Sequence, residues 1–317
     1  MNEEQVLRNF ENGINPRWPE RSAVPAKILG YGEMSTVLEV IPGLACKRLP
    51  MFHSEAEAAA YEDLYHEYIA LLEDQVGLRL PPSRVVRLAD PSWSQVVVYI
   101  LQEKVPPEAV GNRLLARLSP QETSRFVTAV LLEIKKVFDF NLAHPGQIEV
   151  AIDGQISNWA VDGFDPNARS LPDGLRLVYI DTSTPLLRRQ SVEQQNPELF
   201  LRSAPSFMRW IIRWLFLQDV ITRYYDLHKV AVDIVANFYK EQRPELIPGL
   251  IETVNQFFAA ERAAGRFQPV TEAEVRSYYQ EDALTWRVYL AFRKIDRTLH
   301  RLIGKEYPYI LPGEIKR

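Results

Sequence analysis

Between residues 26 and 105, five short apolar runs are interrupted once by a long helical pattern, and that order restricts the chain more than any other feature. The runs are Ala26–Gly30, Ser35–Ile41 and Ala45–Leu49 before the interruption, and Ser83–Ala89 and Ser94–Leu101 after it. Their length and richness in Val, Ile and Tyr favour strands over helices. Pro42-Gly43 supplies a turn between the second and third. Residues 54–75 instead carry Tyr61, Leu64, Tyr68, Leu71 and Leu72 at spacings of three and four, the repeat of one helix face. A small sheet with one long helix inserted into it is the expected unit.

The flanks differ from this unit. A short amphipathic helix near residues 3–11 precedes Asn15–Pro25, whose three prolines make an extended tether. After residue 106 the character turns helical: Ser119-Pro120-Gln121-Glu122 is a capping box with proline at the first helical position, and Val127, Val130, Leu131, Ile134 and Phe138 follow on one face. Gln147–Ile152, Asn158–Val161 and Leu175–Ile180 read as short strands, and from about residue 196 onward the pattern is helical. The expected fold class is α+β and bilobal: residues 1–25 as helix and tether, 26–105 as a β-rich N-lobe, and 106–317 as a mainly helical C-lobe. A chain of 317 residues is long enough for two such lobes sharing a cleft.

Charge and composition remove several function classes. A formal net charge of −4 gives no general field for nucleic acid, so no nucleic-acid partner is expected. No apolar run approaches the roughly 20 residues of a membrane span and the N-terminus has no signal-peptide pattern, so membrane insertion is not expected and a cytoplasmic location is. Cys46 is the only cysteine, which excludes an internal disulfide and a cysteine-based zinc site. The five histidines are scattered, without a pair at helical ligand spacing.

Chemistry-bearing residues fall within the apolar runs or beside them. Gly30 and Gly32 flank one residue in a hairpin ahead of Ser35, Lys47 sits on the third strand, Asp153 precedes Asn158 by five positions in a polar loop, and Asp181 ends a strand. Each has a plain structural reading: a glycine turn, an edge lysine, an Asp-Gly turn, a cap. In this order they resemble the protein-kinase-like fold. The resemblance covers residues 29–183 and implies ATP and Mg2+ as cofactors. It gives Lys47 the α and β phosphates, Gly30, Gly32 and Ser35 the phosphate loop, Asp153 the role of base, and Asn158 and Asp181 the metal. It also demands a glutamate from the long helix to hold Lys47. Glu55, Glu57, Glu62 and Glu67 are available, and Glu67 is the choice because it shares a side with Leu64, Tyr68 and Leu71. Adenine is expected against the lobe connection at Gln102–Val105.

The departures from that family bear on function. Ser35 stands for the third loop glycine, Ala151-Ile152 for the histidine-arginine pair before the base, and Thr182-Ser183 for the phenylalanine-glycine after the metal aspartate; no Ala-Pro-Glu follows. The missing parts serve peptide docking and activation-loop control in protein kinases, so the pattern looks closer to the aminoglycoside, choline and homoserine phosphotransferases. The expected activity is phosphoryl transfer to a hydroxyl of a small-molecule acceptor. The alternatives are a nucleotide-binding scaffold with weak or no turnover, and a kinase or AMP-transferase acting on protein. Support for Asp153 is expected from Gln155 or Ser157. The Trp-, Arg- and Tyr-rich stretch 206–228 reads as core packing or acceptor recognition, and Arg188 and Arg189 as anion-binding or solvent-facing.

Overall fold

A computed structural model of the chain describes residues 2–32, 35–168, 170–203, 205, 209, 222–260 and 268–313. The five apolar runs form strands β1 (Lys27–Tyr31), β2 (Thr36–Glu39), β3 (Leu44–Phe52), β4 (Ser83–Leu88) and β5 (Val96–Glu103). They make one sheet in the order β1-β2-β3-β5-β4, antiparallel at every junction. Helix α1 (Glu3–Asn12) precedes the sheet, and α2 (Glu55–Ala70) is inserted between β3 and β4. Ser54 caps α2 by accepting from the Glu57 amide, and a π turn over Leu71–Val76 ends it before Gly77 takes a left-handed conformation.

Strand periodicity divides the sheet into two faces. Leu49, Met51, Val98 and Ile100 pack against Tyr61 and Tyr65 of α2. Cys46, Val97, Tyr99 and Leu101 pack on the opposite side with Leu7 and Phe10 of α1. The consecutive cations Lys47 and Arg48 therefore point to opposite faces. On the α1 side Arg48 donates to both Glu11 carboxylate oxygens, at 2.6 and 2.8 Å, and to the Pro308 carbonyl at 2.6 Å. Tyr99 donates to the same carboxylate. Tyr307, Tyr309 and Leu311 join the α2-side cluster and Ile310 joins the α1-side cluster, while the Thr36 hydroxyl donates to the Ile310 carbonyl at 3.4 Å. Both ends of the described chain thus complete the sheet.

The rest of the described chain is mainly helical: α3 (Pro120–Ala143), α4 (Leu227–Lys240), α5 (Ile247–Ala260) and α6 (Glu272–Leu302). Ser119 accepts from the Glu122 amide as expected, but the Glu122 carboxylate turns away to accept from the Leu171 amide, so only half of the capping box forms. The loop strands are β6 (Ile148–Ala151), β7 (Trp159–Val161) and β8 (Leu177–Tyr179), with β7 and β8 paired. A hairpin that the sequence pattern did not reveal follows: β9 (Leu186–Arg189) pairs with both β6 and β10 (Val192–Glu193). Trp159, Tyr179, Ile134 and Ile234 belong to one large core beneath the loops. The arrangement is α+β: a small antiparallel sheet with one long helix, then a mainly helical part.

Candidate active site

The polar loop after β6 is held by contacts too close for a side chain at its centre. A Cβ on Gly154 would lie 2.9 Å from both Ile134 Cδ1 of α3 and Val230 Cγ1 of α4, so Gly154 lets the loop rest directly on two helices. Within the loop, Asp153 Oδ1 accepts from the Gln155 amide at 3.0 Å, and Asn158 Nδ2 donates to the Asp153 carbonyl at 3.2 Å. The β7–β8 pairing brings Asp181 to the same place: the Ile180 amide donates to the Asn158 carbonyl at 2.8 Å. From above, Lys47 Nζ donates to the Ile180 carbonyl at 2.5 Å and to Asp181 Oδ1 at 3.2 Å. One connected set of hydrogen bonds therefore joins Lys47, Asp181, Asn158 and Asp153.

The electrostatics follow from burial. Burial pulls the Lys47 ammonium below its ordinary value despite the Asp181 carboxylate beside it. Burial pushes Asp181 up, but Lys47 and the Ser183 hydroxyl, which donates at 2.9 Å, outweigh it and hold the carboxyl below its usual range. The Asp153 carboxyl is pushed up to about 8, first by burial and then by the Asp233 carboxylate of α4.

Two tyrosines brace the backbone on either side of Ile152. The Asp153 amide donates to the Tyr179 hydroxyl at 3.2 Å, and the Tyr68 hydroxyl donates to the Ala151 carbonyl at 2.7 Å. Gln155 contributes through its backbone amide.

Glu67 is corrected by the structure. It pairs with Arg189 of β9 on an exposed surface and does not meet Lys47. The face of α2 that meets the Asp181 segment carries Tyr61, Tyr65 and Tyr68 instead. Tyr61 donates to the Ser183 carbonyl at 2.9 Å, and the Tyr65 hydroxyl lies 3.1 Å from Thr182 Oγ1 and 2.7 Å from Ser83 Oγ. Gln102 is corrected too: its side chain donates to Thr182 Oγ1 at 3.1 Å and its backbone lies inside the sheet ladder, so it braces the segment after Asp181 and presents no edge to adenine. Two tyrosine hydroxyls and the Gln102 amide thus hold Thr182 and Ser183, while Lys47 bonds Ile180 and Asp181.

The remaining expected residues are placed as follows. Gly30 lies in β1 at a register shift, and the Gly32 amide donates to the Ser35 carbonyl at 2.9 Å, closing the turn; Ser35 itself is buried. Val105 packs partly buried against the lower core, and its backbone bonds to no described residue, whereas the adjacent Lys104 amide donates to Gly43. Arg188 stacks on Tyr225, 3.7 Å from the ring centroid, and pairs with Glu193 at 3.2 Å, so both arginines after Asp181 have carboxylate partners. Of the stretch 206–228 singled out for the acceptor, residues 206–208 and 210–221 lie outside the described residues.

The donor set fits a magnesium nucleotide. An ammonium has three N–H donors and two of those on Lys47 are satisfied by the protein, leaving one on a buried cation. Asn158 spends Nδ2 on the Asp153 carbonyl, which leaves Oδ1 as a ligand beside a carboxylate whose side chain keeps 34% of its exposure. Magnesium binds through one or two such oxygens plus phosphates, so the absence among the described residues of a cluster of three His, Cys, Asp or Glu does not count against it.

Comparison with known proteins finds no match among curated sequences. Among solved structures, WaaP in complex with acyl carrier protein is 17% identical, over 72% of this chain and 90% of that one, with a TM-score of 0.31. The GDP and kanamycin complex of APH(2")-IIIa is 12% identical, over 83% of this chain and all of that one, with a TM-score of 0.34. Likeness at this level assigns no ligand to this chain. A family model matches residues 19–300, and the chain accordingly belongs to the family of unknown function DUF6206.

Proposed function

We propose that the chain is an ATP- and magnesium-dependent phosphotransferase acting on a hydroxyl of a small-molecule acceptor. The observation that carries this reading is the single hydrogen-bonded set linking Lys47, Asp181, Asn158 and Asp153. When bound, the magnesium nucleotide supplies the transferable phosphoryl group and the cation that spreads its charge. Lys47 holds phosphate oxygen with its remaining donor, and Asp181 and Asn158 hold the metal. Asp153, with its carboxyl pushed up to about 8, suits a base that orients an acceptor hydroxyl and takes its proton near neutral pH. Val105, with its unbonded backbone, is the residue of the linker best suited to meet the adenine edge. Incubation with magnesium, labelled ATP and a library of hydroxyl acceptors tests the reading. Transfer is expected to fall by roughly 10²–10⁴ in Asp153→Asn and to be lost in Asp181→Asn, and equal turnover in these variants refutes it.

One observation favours a second reading. Lys47 has no acidic partner on α2, where tyrosines stand instead, and a scaffold that binds nucleotide without turnover needs none. It predicts ATP-dependent thermal stabilisation in the parent and in Asp153→Asn alike, with no product from any acceptor. Where product does form, mass spectrometry distinguishes a phosphate adduct from an AMP adduct and a small-molecule acceptor from a protein one.

A further inference from the structure

Helix α6 is unusual in its second half. Of the ten large hydrophobic side chains exposed among the described residues, five lie between residues 284 and 303: Leu284, Ile295, Leu299, Leu302 and Ile303, with exposures from 38 to 76%. Leu284, Ile295 and Leu302 recur at spacings of eleven and seven, which superimpose on one line of a helix, and Val288 and Leu299 fall beside them. The opposite face, with Ala283, Trp286, Arg293 and Asp296, is the buried one. The apolar line therefore stands about half a turn from the protein, facing outward over about 27 Å at 1.5 Å per residue. A contiguous apolar strip of this kind marks a contact surface.

Charge selects the occupant. Arg287, Lys294 and Arg301, seven residues apart, run along one flank of the line, all exposed and none in an ion pair with a described residue. From 283 to 305 the only acid is Asp296, which is 8% exposed and lies beside His300. On a chain of net charge −4 this is a local cationic strip. A second copy of the helix would set cation against cation. A partner helix would meet Ala291 and Thr298 at the central seam positions, where small side chains leave no knob to interlock. A bilayer needs no interlocking, and its anionic headgroups answer the cations.

We infer that the outer face of α6 docks on an anionic lipid surface, lying in the interface plane with its aliphatic line in the headgroup and acyl boundary and its flanking cations on lipid phosphates. No described helix is long and apolar enough to cross a membrane, so the contact is peripheral. The inference is independent of the phosphotransferase reading. Flotation of the full chain with vesicles of phosphatidylcholine, alone or mixed with phosphatidylglycerol, tests it. Binding is expected on the mixed vesicles only. Lys294→Glu and Arg301→Glu should each weaken it by roughly fivefold or more, and Leu302→Asp should abolish it. Because all three sites are exposed, an unchanged melting temperature verifies folding in each variant. Failure to float with mixed vesicles overturns the inference, as does flotation that Leu302→Asp leaves intact. A concentration-dependent dimer in ultracentrifugation that Leu302→Asp dissolves, without vesicle binding, assigns the face to a second copy and also overturns it.

Discussion

Lys47 and Arg48 are adjacent on one strand, both buried and both cationic, yet they are solvated by the protein in different degrees. Burial pulls Arg48 down, but the bidentate pair with Glu11 more than reverses this and holds its guanidinium above the ordinary value. At Lys47 burial prevails over a single partly exposed carboxylate. The α1 face of β3 therefore carries a closed ion pair, while the cleft face carries a cation with binding capacity left over. An incompletely compensated buried charge marks a candidate for function, whereas a fully compensated one is accounted for by architecture.

Substitutions can break this contrast at either end. The largest expected effect is on stability: Arg48→Met strands Glu11 in the interior and should cost about 3–5 kcal/mol in denaturant unfolding. Adding Glu11→Leu should recover most of that loss, because the pair can be replaced but not halved. Lys47→Met should do the reverse, leaving the melting temperature no lower than the parent's while transfer from labelled ATP falls by roughly 10²–10³. Tyr65→Phe is intermediate: it removes the hydroxyl shared with Ser83 and Thr182 and should cost about 1 kcal/mol, read by thermal unfolding.

A smaller effect should appear in pH dependence. Burial raises the Glu193 carboxyl above its ordinary value, even with Arg188 and Tyr225 against it. The folded state therefore keeps this proton to higher pH than the unfolded chain does, and stability declines as pH climbs from the usual carboxylate range through the raised value. Glu193→Gln should flatten that part of a plot of melting temperature against pH. The smallest effect belongs to Glu67→Ala, which removes an exposed pair and should change stability by less than about 1 kcal/mol. It should leave transfer unchanged, whereas a glutamate holding Lys47 would not.

The sheet and its helix were legible because period-two and period-3.6 burial leave different traces, and the nearness of Lys47, Asp153, Asn158 and Asp181 follows from the pairing of the strands that carry or flank them. The hairpin after Asp181 was not legible for a physical reason. Its turn places Gln190 and Ser191 at φ of 49° and 63°, a conformation usually signalled by Asn-Gly, so nothing in the dipeptide announces it. The Glu67 assignment failed because Leu64 and Leu71 mark only the edge of the buried face, while Tyr61, Tyr65 and Tyr68 mark its centre. Tyrosine in a helical repeat reads as core, and its hydroxyl shows a role only once the strand opposite is known. Gln102 misled in the same way, since its position on β5 turns it inward to Thr182.

The carbonyl that completes the Arg48 pair comes from Pro308, 260 positions along the chain. Strand β3 can therefore form long before its guanidinium has all of its partners, and contacts of such separation close slowly because the intervening chain must first be ordered. During synthesis the sheet that carries Lys47 would wait, assembled but unlatched, until the helical part had emerged behind it.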